Sequence, residues 1–394
     1  MYQSFNPIVR TLMGPGPSDV NPRILSAMGK PTIGHLDPEF IRLMDEIKNM
    51  LQQVFQTGNQ LTIPVSAPGS AGMETCFVNL VEPGDKVIVC QNGVFGGRMA
   101  ENVRRLGGNP VIVEDEWGRA VDPEKLATAL KANPDAKIVA FVHAETSTGA
   151  RSDAATLCGL ARDHGCLTIV DCVTSLAGCD VNLDAWQADA AYSGTQKCLS
   201  CAPGLSPISM SERAVEKIKA RKTPVSSWFM DLNLVMGYWG EGQTRAYHHT
   251  APVNALYGLH EALVIVCEEG LENAWQRHQA NHLALRAGLE ALGLSFIVPE
   301  DERLAQLNAV TIPEGVNEAD IRRQLLQQYN LEIGAGLGSL AGKVWRIGLM
   351  GYASNPRNVL LCVNALESVL SQYNAHINRG EATAAVASAY ATPA

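Results

Sequence analysis

The chain has 394 residues, 46% of them hydrophobic and 18% charged, with 31 Lys and Arg against 40 Asp and Glu for a formal charge of −9. This is the composition of a globular protein with a sizeable core; the scattered basic residues argue against nucleic acid as a partner, and apolar runs such as KIVAFV at 137–142 are too short to span a bilayer. The ten cysteines lie mostly in apolar segments, as reduced buried thiols do, and MYQSFNPIVR lacks the features of a secretory signal, so the expected location is the cytoplasm.

From about residue 60 to 210, β-rich runs alternate with helix-like stretches. KVIVC (86–90), NPVIVE (109–114), KIVAFVHA (137–144), CLTIVD (166–171) and AAYSG (190–194) read as strands. FGGRMAENVRRLG, DPEKLATALKAN and DAATLCGLARDHG between them read as helices. Such a succession predicts an α/β fold with a mainly parallel sheet, whose ligands sit beyond the carboxyl ends of the strands. The stretch 255–293, interrupted only by isolated glycines, is expected to be long helix leading out of the large domain. LNAVTIP (307–313), EADIRRQLLQQY (318–329) and KVWRIGLMG (343–351) then predict a smaller α+β domain, and the Ala-rich end reads as a last helix or a frayed tail.

Asp171 closes the strand LTIVD, with no Lys or Arg beside it in sequence. By itself it reads as a helix cap or a turn aspartate. The next strand, AAYSG, runs into Thr195-Gln196-Lys197, where flanking small and apolar residues would desolvate the lysine, lower its pKa and make its amine nucleophilic; a surface lysine is the alternative. An amine to bind an aldehyde and a carboxylate to hold a ring nitrogen's proton are what pyridoxal 5′-phosphate (PLP) requires. SAPGSAGMETCF (66–77), a Gly/Ser turn running into a helix, offers backbone donors for a phosphate. Arg346, mid-strand in KVWRIGL, has a planar fork suited to a substrate carboxylate, unless that sheet face is solvated.

LMGPGPSDVNPRIL, NGVFGGR, HAETSTG, IVDCVTSLAG, YSGTQKCLSCAPG, YHHTAP and GKVWRIGLMG together resemble the class V, fold type I PLP-dependent aminotransferases, in their alanine–glyoxylate and serine–glyoxylate branch. The resemblance covers nearly the whole chain. It implies an N-terminal arm (1–20), a large PLP-binding domain (21–258) and a small C-terminal domain (259–394). It implies Lys197 as the lysine that binds PLP, Asp171 as the partner of the ring nitrogen, Gln196, Gly69 and Ser70 at the phosphate, Phe95 stacked on the ring where the family often has Trp, and Thr146 at the ring oxygen. Arg346 would bind the substrate carboxylate, and Tyr247 and Thr250 would reach the phosphate of a neighbouring subunit, so the expected unit is a homodimer. The activity implied is amino transfer from alanine or serine to glyoxylate. The segments STGARSD, GTQKCLS and WRIGLMGY also resemble the ureidoglycine–glyoxylate branch, which tends to carry amides where this chain has His35 and Tyr247. With Trp228 and residues 66–70, those two side chains are candidates to line the donor pocket.

Other chemistries remain on the page. A cysteine desulfurase would need a reactive thiol toward the C-terminus, where Cys267 and Cys362 both sit in apolar helical contexts that predict burial. The C-x-x-C of Cys198 and Cys201, with Cys172 and Cys179 upstream, and the adjacent His248 and His249 raise a zinc, redox or metal reading, although the upstream spacing does not suit a zinc ribbon and adjacent residues rarely aim at one ion.

Overall fold

The computed structural model describes residues 2–240, 245–373 and 375–391. A seven-stranded sheet is built from β1 (Leu61–Val65), β2 (Lys86–Gln91), β3 (Asn109–Glu114), β4 (Ile138–Val142), β5 (Leu167–Asp171), β6 (Ala190–Tyr192) and β7 (Ser206–Met210), in the order β1-β7-β6-β5-β4-β2-β3. Neighbours from β6 to β3 pair in parallel, while β7 runs antiparallel to both β6 and β1. Reversing direction twice leaves β1 aligned with β6, so the carboxyl ends of β1, β4, β5 and β6 open on one edge. The central strands are apolar runs because helices cover both faces: every residue of β4 is buried.

Aspartates mark where the covering helices start. Asp122 accepts the amide of Glu124 at 2.8 Å ahead of Pro123–Ala132, and Asp153 accepts that of Thr156 at 3.1 Å ahead of Ala154–Asp163. The long helix expected over 255–293 is instead two, Val253–Glu269 and Leu271–Ala291. Gly270 stands between them at φ 81° and ψ 141°, a backbone state that glycine reaches without steric cost and that no helix contains.

A second sheet is made of β8 (Leu307–Thr311), β9 (Gly334–Ala335) and β10 (Val344–Gly348), with β10 in the middle and antiparallel to both neighbours. Its apolar face joins Leu285, Leu289, Val363 and Leu366 in a core separate from that of the large sheet. Met13 belongs to this second core, because Thr11–Leu12 pairs with Leu331–Glu332. The Ala-rich end forms the helix Ala382–Ala391. Among the described residues no helix is long and apolar enough to cross a membrane.

Candidate active site

Asp171, the last residue of β5, is 2% exposed. Its Oδ1 accepts the amide of Val173 and its Oδ2 the hydroxyl of Tyr192, each at 2.8 Å. Burial pushes the carboxyl up to about 7 against these bonds, which hold the charged form. Tyr192 is the register partner of Asp171 on the parallel neighbour β6, so both side chains leave the sheet on the same face. The turn after β6 carries Lys197, 8% exposed, its ammonium pushed down to about 8 by burial first and by the charge of Arg346 second.

The lysine is held by the N-terminal segment. Its Nζ donates to the carbonyl of Pro15, Ser18 Oγ donates to the Lys197 carbonyl at 2.8 Å, and the Ser18 amide to that of Gln196 at 2.9 Å. Gly16, at φ 109°, leaves the space that the lysine side chain fills; a Cβ there would overlap it.

Arg346, in the centre of β10, is 6% exposed, so the solvated-face reading is excluded. Its Nε donates to Ala335 O at 2.7 Å and its Nη1 to Thr146 O at 3.1 Å, leaving Nη2 without a hydrogen-bond partner among the described residues. The Thr146 hydroxyl shares a short hydrogen bond with Thr174, three residues beyond Asp171. The loop after β4, the last residue of β5, the turn after β6 and the centre of β10 thus bring Thr146, Asp171, Lys197 and Arg346 together, all of them buried.

Gly69 and Ser70 open the helix Gly69–Leu80, which has no side-chain cap. Neither amide has a partner among the described residues, whereas those of Ala71 and Gly72 reach Pro68 O. The Cα of Gly69 faces Ser193, Gly194 and Val173, at the same strand ends as Asp171. Gln196 Oε1 is buried without a partner among the described residues. Phe95 is partly buried in the first turn of the helix Val94–Arg105, with the Arg98 guanidinium 4.8 Å over its ring.

Tyr247 and Thr250 are exposed, and no hydrogen bond joins them to the lysine cluster among the described residues. His35 leans on Tyr247 with ring centroids 5.5 Å apart, and Trp228 stacks on His248 at 4.6 Å. His248 and His249 bond each other through their Nδ1 atoms at 2.8 Å, and His249 reaches Ser66 at 2.7 Å. Among the described residues no group of three His, Cys, Asp or Glu is arranged to hold a metal ion. Cys198 and Cys201 are buried thiols, each pushed up to about 12 by burial. Cys362 is buried, but Cys267 is exposed, against expectation, because the helix turns it outward while Leu259, Leu263 and Val266 face the core.

Pro15, Glu145, Thr174 and Tyr192 join the site without a motif that singles them out. Tyr192 was accessible from the pairing of two consecutive parallel strands. Glu145, inside the quoted motif HAETSTG, carried no signal of its own, because nothing local says which loop it will face.

The family profile described as Aminotransferase class-V matches residues 23–356. The chain is 38% identical to the (S)-ureidoglycine–glyoxylate transaminase of Bacillus subtilis (strain 168), over 97% of this chain and 95% of that protein. It is 40% identical to the alanine–glyoxylate aminotransferase of Rattus norvegicus, over 92% of this chain and 87% of that one. Superposed on the crystal structure of an alanine–glyoxylate aminotransferase from Nostoc sp., it gives a TM-score of 0.92 at 47% identity, covering 94% of this chain and 97% of the other.

Proposed function

Because the chain belongs to the class V aminotransferases, we propose that it is a PLP-dependent transaminase passing the amino group of alanine or serine to glyoxylate, which leaves as glycine. The observation that carries this reading is the buried network in which the amine of Lys197, the carboxylate of Asp171 and the guanidinium of Arg346 converge from separate elements.

The residues present fit PLP. Asp171 has one hydrogen bond on each oxygen, so it retains acceptor capacity, and its raised pKa marks a carboxylate in want of a cationic or N–H partner such as the ring nitrogen. The partnerless amides of Gly69 and Ser70 mark the helix start as the phosphate end, where the Nε2 of Gln196 would be a further donor. Phe95 would stack on the ring, and Thr146 would meet the ring oxygen. When bound, PLP supplies an aldehyde for covalent attachment and a conjugated ring that draws electrons from the substrate's α-carbon.

Lys197 would hold the cofactor through its Nζ. The Nζ of Lys197, pushed down to about 8 by burial, would be the base that takes the proton from the donor's Cα. Arg346 Nη2 binds the donor's carboxylate, and the two backbone carbonyls on its other nitrogens fix the fork. The same arginine would bind the carboxylate of glyoxylate in the reverse half of the reaction. One carboxylate clamp suits a small donor better than a dicarboxylate. The relative from Bacillus subtilis supports a second reading, in which ureidoglycine is the donor.

The reading includes a cytoplasmic homodimer. Tyr247 and Thr250 are exposed, as residues serving a partner's phosphate would be, and Tyr2, Phe5, Ile8 and Val9 are exposed apolar side chains, Tyr2 and Val9 at 105% and 87%. None of the ten cysteines is paired.

The test is a spectrum of the purified protein followed by a donor screen against glyoxylate. A visible band near about 410–430 nm is expected, lost in Lys197→Ala and bleached by alanine or serine. Bleaching by ureidoglycine alone would select the second reading. No band after PLP is added would end the transaminase reading.

A further inference from the structure

The helix Val94–Arg105 carries Phe95 in its first turn and begins at Gly93, which has no side chain to cap it. The capping groups come from another loop. Glu145 is 0% exposed; its Oε2 accepts the amide of Phe95 at 3.2 Å, and its Oε1 accepts the amide and the hydroxyl of Ser147 at 3.0 and 2.6 Å. Ser147 Oγ in turn accepts the amide of Val94 at 3.0 Å. The fit is close enough that a Cβ on Gly93 would overlap both Glu145 and Ser147.

A fully buried carboxylate is costly to keep charged, and burial raises the pKa of this one against its hydrogen bonds. A serine or aspartate at position 93, the usual cap, has no room beside Glu145 and Ser147. What the distant cap adds is a rigid tie between the loop after β4, which carries Thr146, and the helix turn that carries Phe95. The negative charge at the positive end of the helix strengthens that tie.

We propose that Glu145 is a positioning residue that fixes the Phe95 ring over the cofactor, linking the ring's stacking face to the loop that contacts the ring's edge. This rests on the reading above that Phe95 stacks on PLP. In Glu145→Gln an amide nitrogen faces donor N–H groups, so at least one bond to the helix turn or to Ser147 is lost.

The test compares wild type, Glu145→Gln, Ser147→Ala, Phe95→Leu and the double variant Glu145→Gln/Phe95→Leu, reading the dissociation constant of PLP and the visible circular dichroism of the bound cofactor. Glu145→Gln is expected to weaken PLP about tenfold, the scale of one hydrogen bond to a charged group, and to reduce the dichroic band. The double variant is expected to bind PLP no more weakly than Phe95→Leu, because Glu145 acts through that ring. Additive losses, or an unchanged dichroic band in Glu145→Gln, would overturn the inference while leaving the stacking intact. If Phe95→Leu binds PLP as wild type does, the stacking reading falls instead. Should Glu145→Gln fail to fold, Ser147→Ala, which keeps the charge and removes the bond to Val94, must shift both readouts the same way; wild-type values there would count against the proposal.

Discussion

Lys197 and Asp171 are poised in opposite senses by the same burial. The lysine gives up its proton from about pH 8 in the folded chain, and the unfolded chain holds it to the ordinary value of 10.5. Between those values the unfolded chain binds more protons, so this group makes the cofactor-free protein more stable as pH rises through that window. Asp171 works the other way: raised from 3.8 to about 7, it binds its proton more tightly when folded, and its contribution declines as pH rises from about 4 to 7. Melting curves of cofactor-free Asp171→Asn are therefore expected to depend less on pH between 5 and 7 than those of wild type. The rate at which cofactor-free protein acquires the visible absorbance of bound PLP should climb with pH and level off above about 8, well below the lysine's ordinary range. Arg346→Lys keeps a charge but loses the planar fork held by Ala335 and Thr146; KM for the amino donor is expected to rise about 10–100-fold in steady-state assays. These residues were legible because each is an unusual type for its position: an acid at a buried strand end, a lysine among small residues, an arginine within a core strand. Their partners were not, since Pro15, Thr174 and Glu145 act through a carbonyl, a hydroxyl and a cap that any loop residue can supply.

Strand and helix positions follow the hydrophobic period closely where tertiary context agrees with it. NPVIVE is the strand Asn109–Glu114, and EADIRRQLLQQY the helix Glu318–Tyr329. In β1 and β7, LTIPV and SPISM each contain a proline that weakens the strand signal; β7 nonetheless accommodates its proline between two antiparallel neighbours. The break at Gly270 was invisible for a related reason. An isolated glycine is tolerated inside a helix, and only its positive φ reveals a corner. Gly270→Ala is accordingly expected to lower stability by about 1–3 kcal/mol, measured by denaturant unfolding, because alanine must adopt that strained backbone state.

At the scale of the whole molecule the decisive question is whether one chain completes the site of another. If Tyr247 and Thr250 complete a partner's site, then mixing inactive Lys197→Ala with inactive Tyr247→Ala/Thr250→Ala and allowing subunits to exchange gives hybrids with one intact site. Activity should recover to about a quarter of wild type for random pairing in a twofold dimer. No recovery is expected if each chain serves only itself. Deleting residues 1–9, with their exposed Tyr2, Phe5, Ile8 and Val9, is expected to weaken association in sedimentation experiments. The segment that follows this arm has a bearing on how the protein is made. Thr11–Leu12 pairs with Leu331–Glu332, the carbonyl of Met13 receives the amide of Gly348, and the carbonyl of Pro15 receives Lys197. Residues 11–15 can therefore complete their native contacts only after residue 348 has emerged from the ribosome. Nascent chains cut short before residue 344 contain both Pro15 and Lys197 but lack the strand that carries Arg346 and the contacts that seat residues 11–13, so such half-finished chains are not expected to take up cofactor with native affinity.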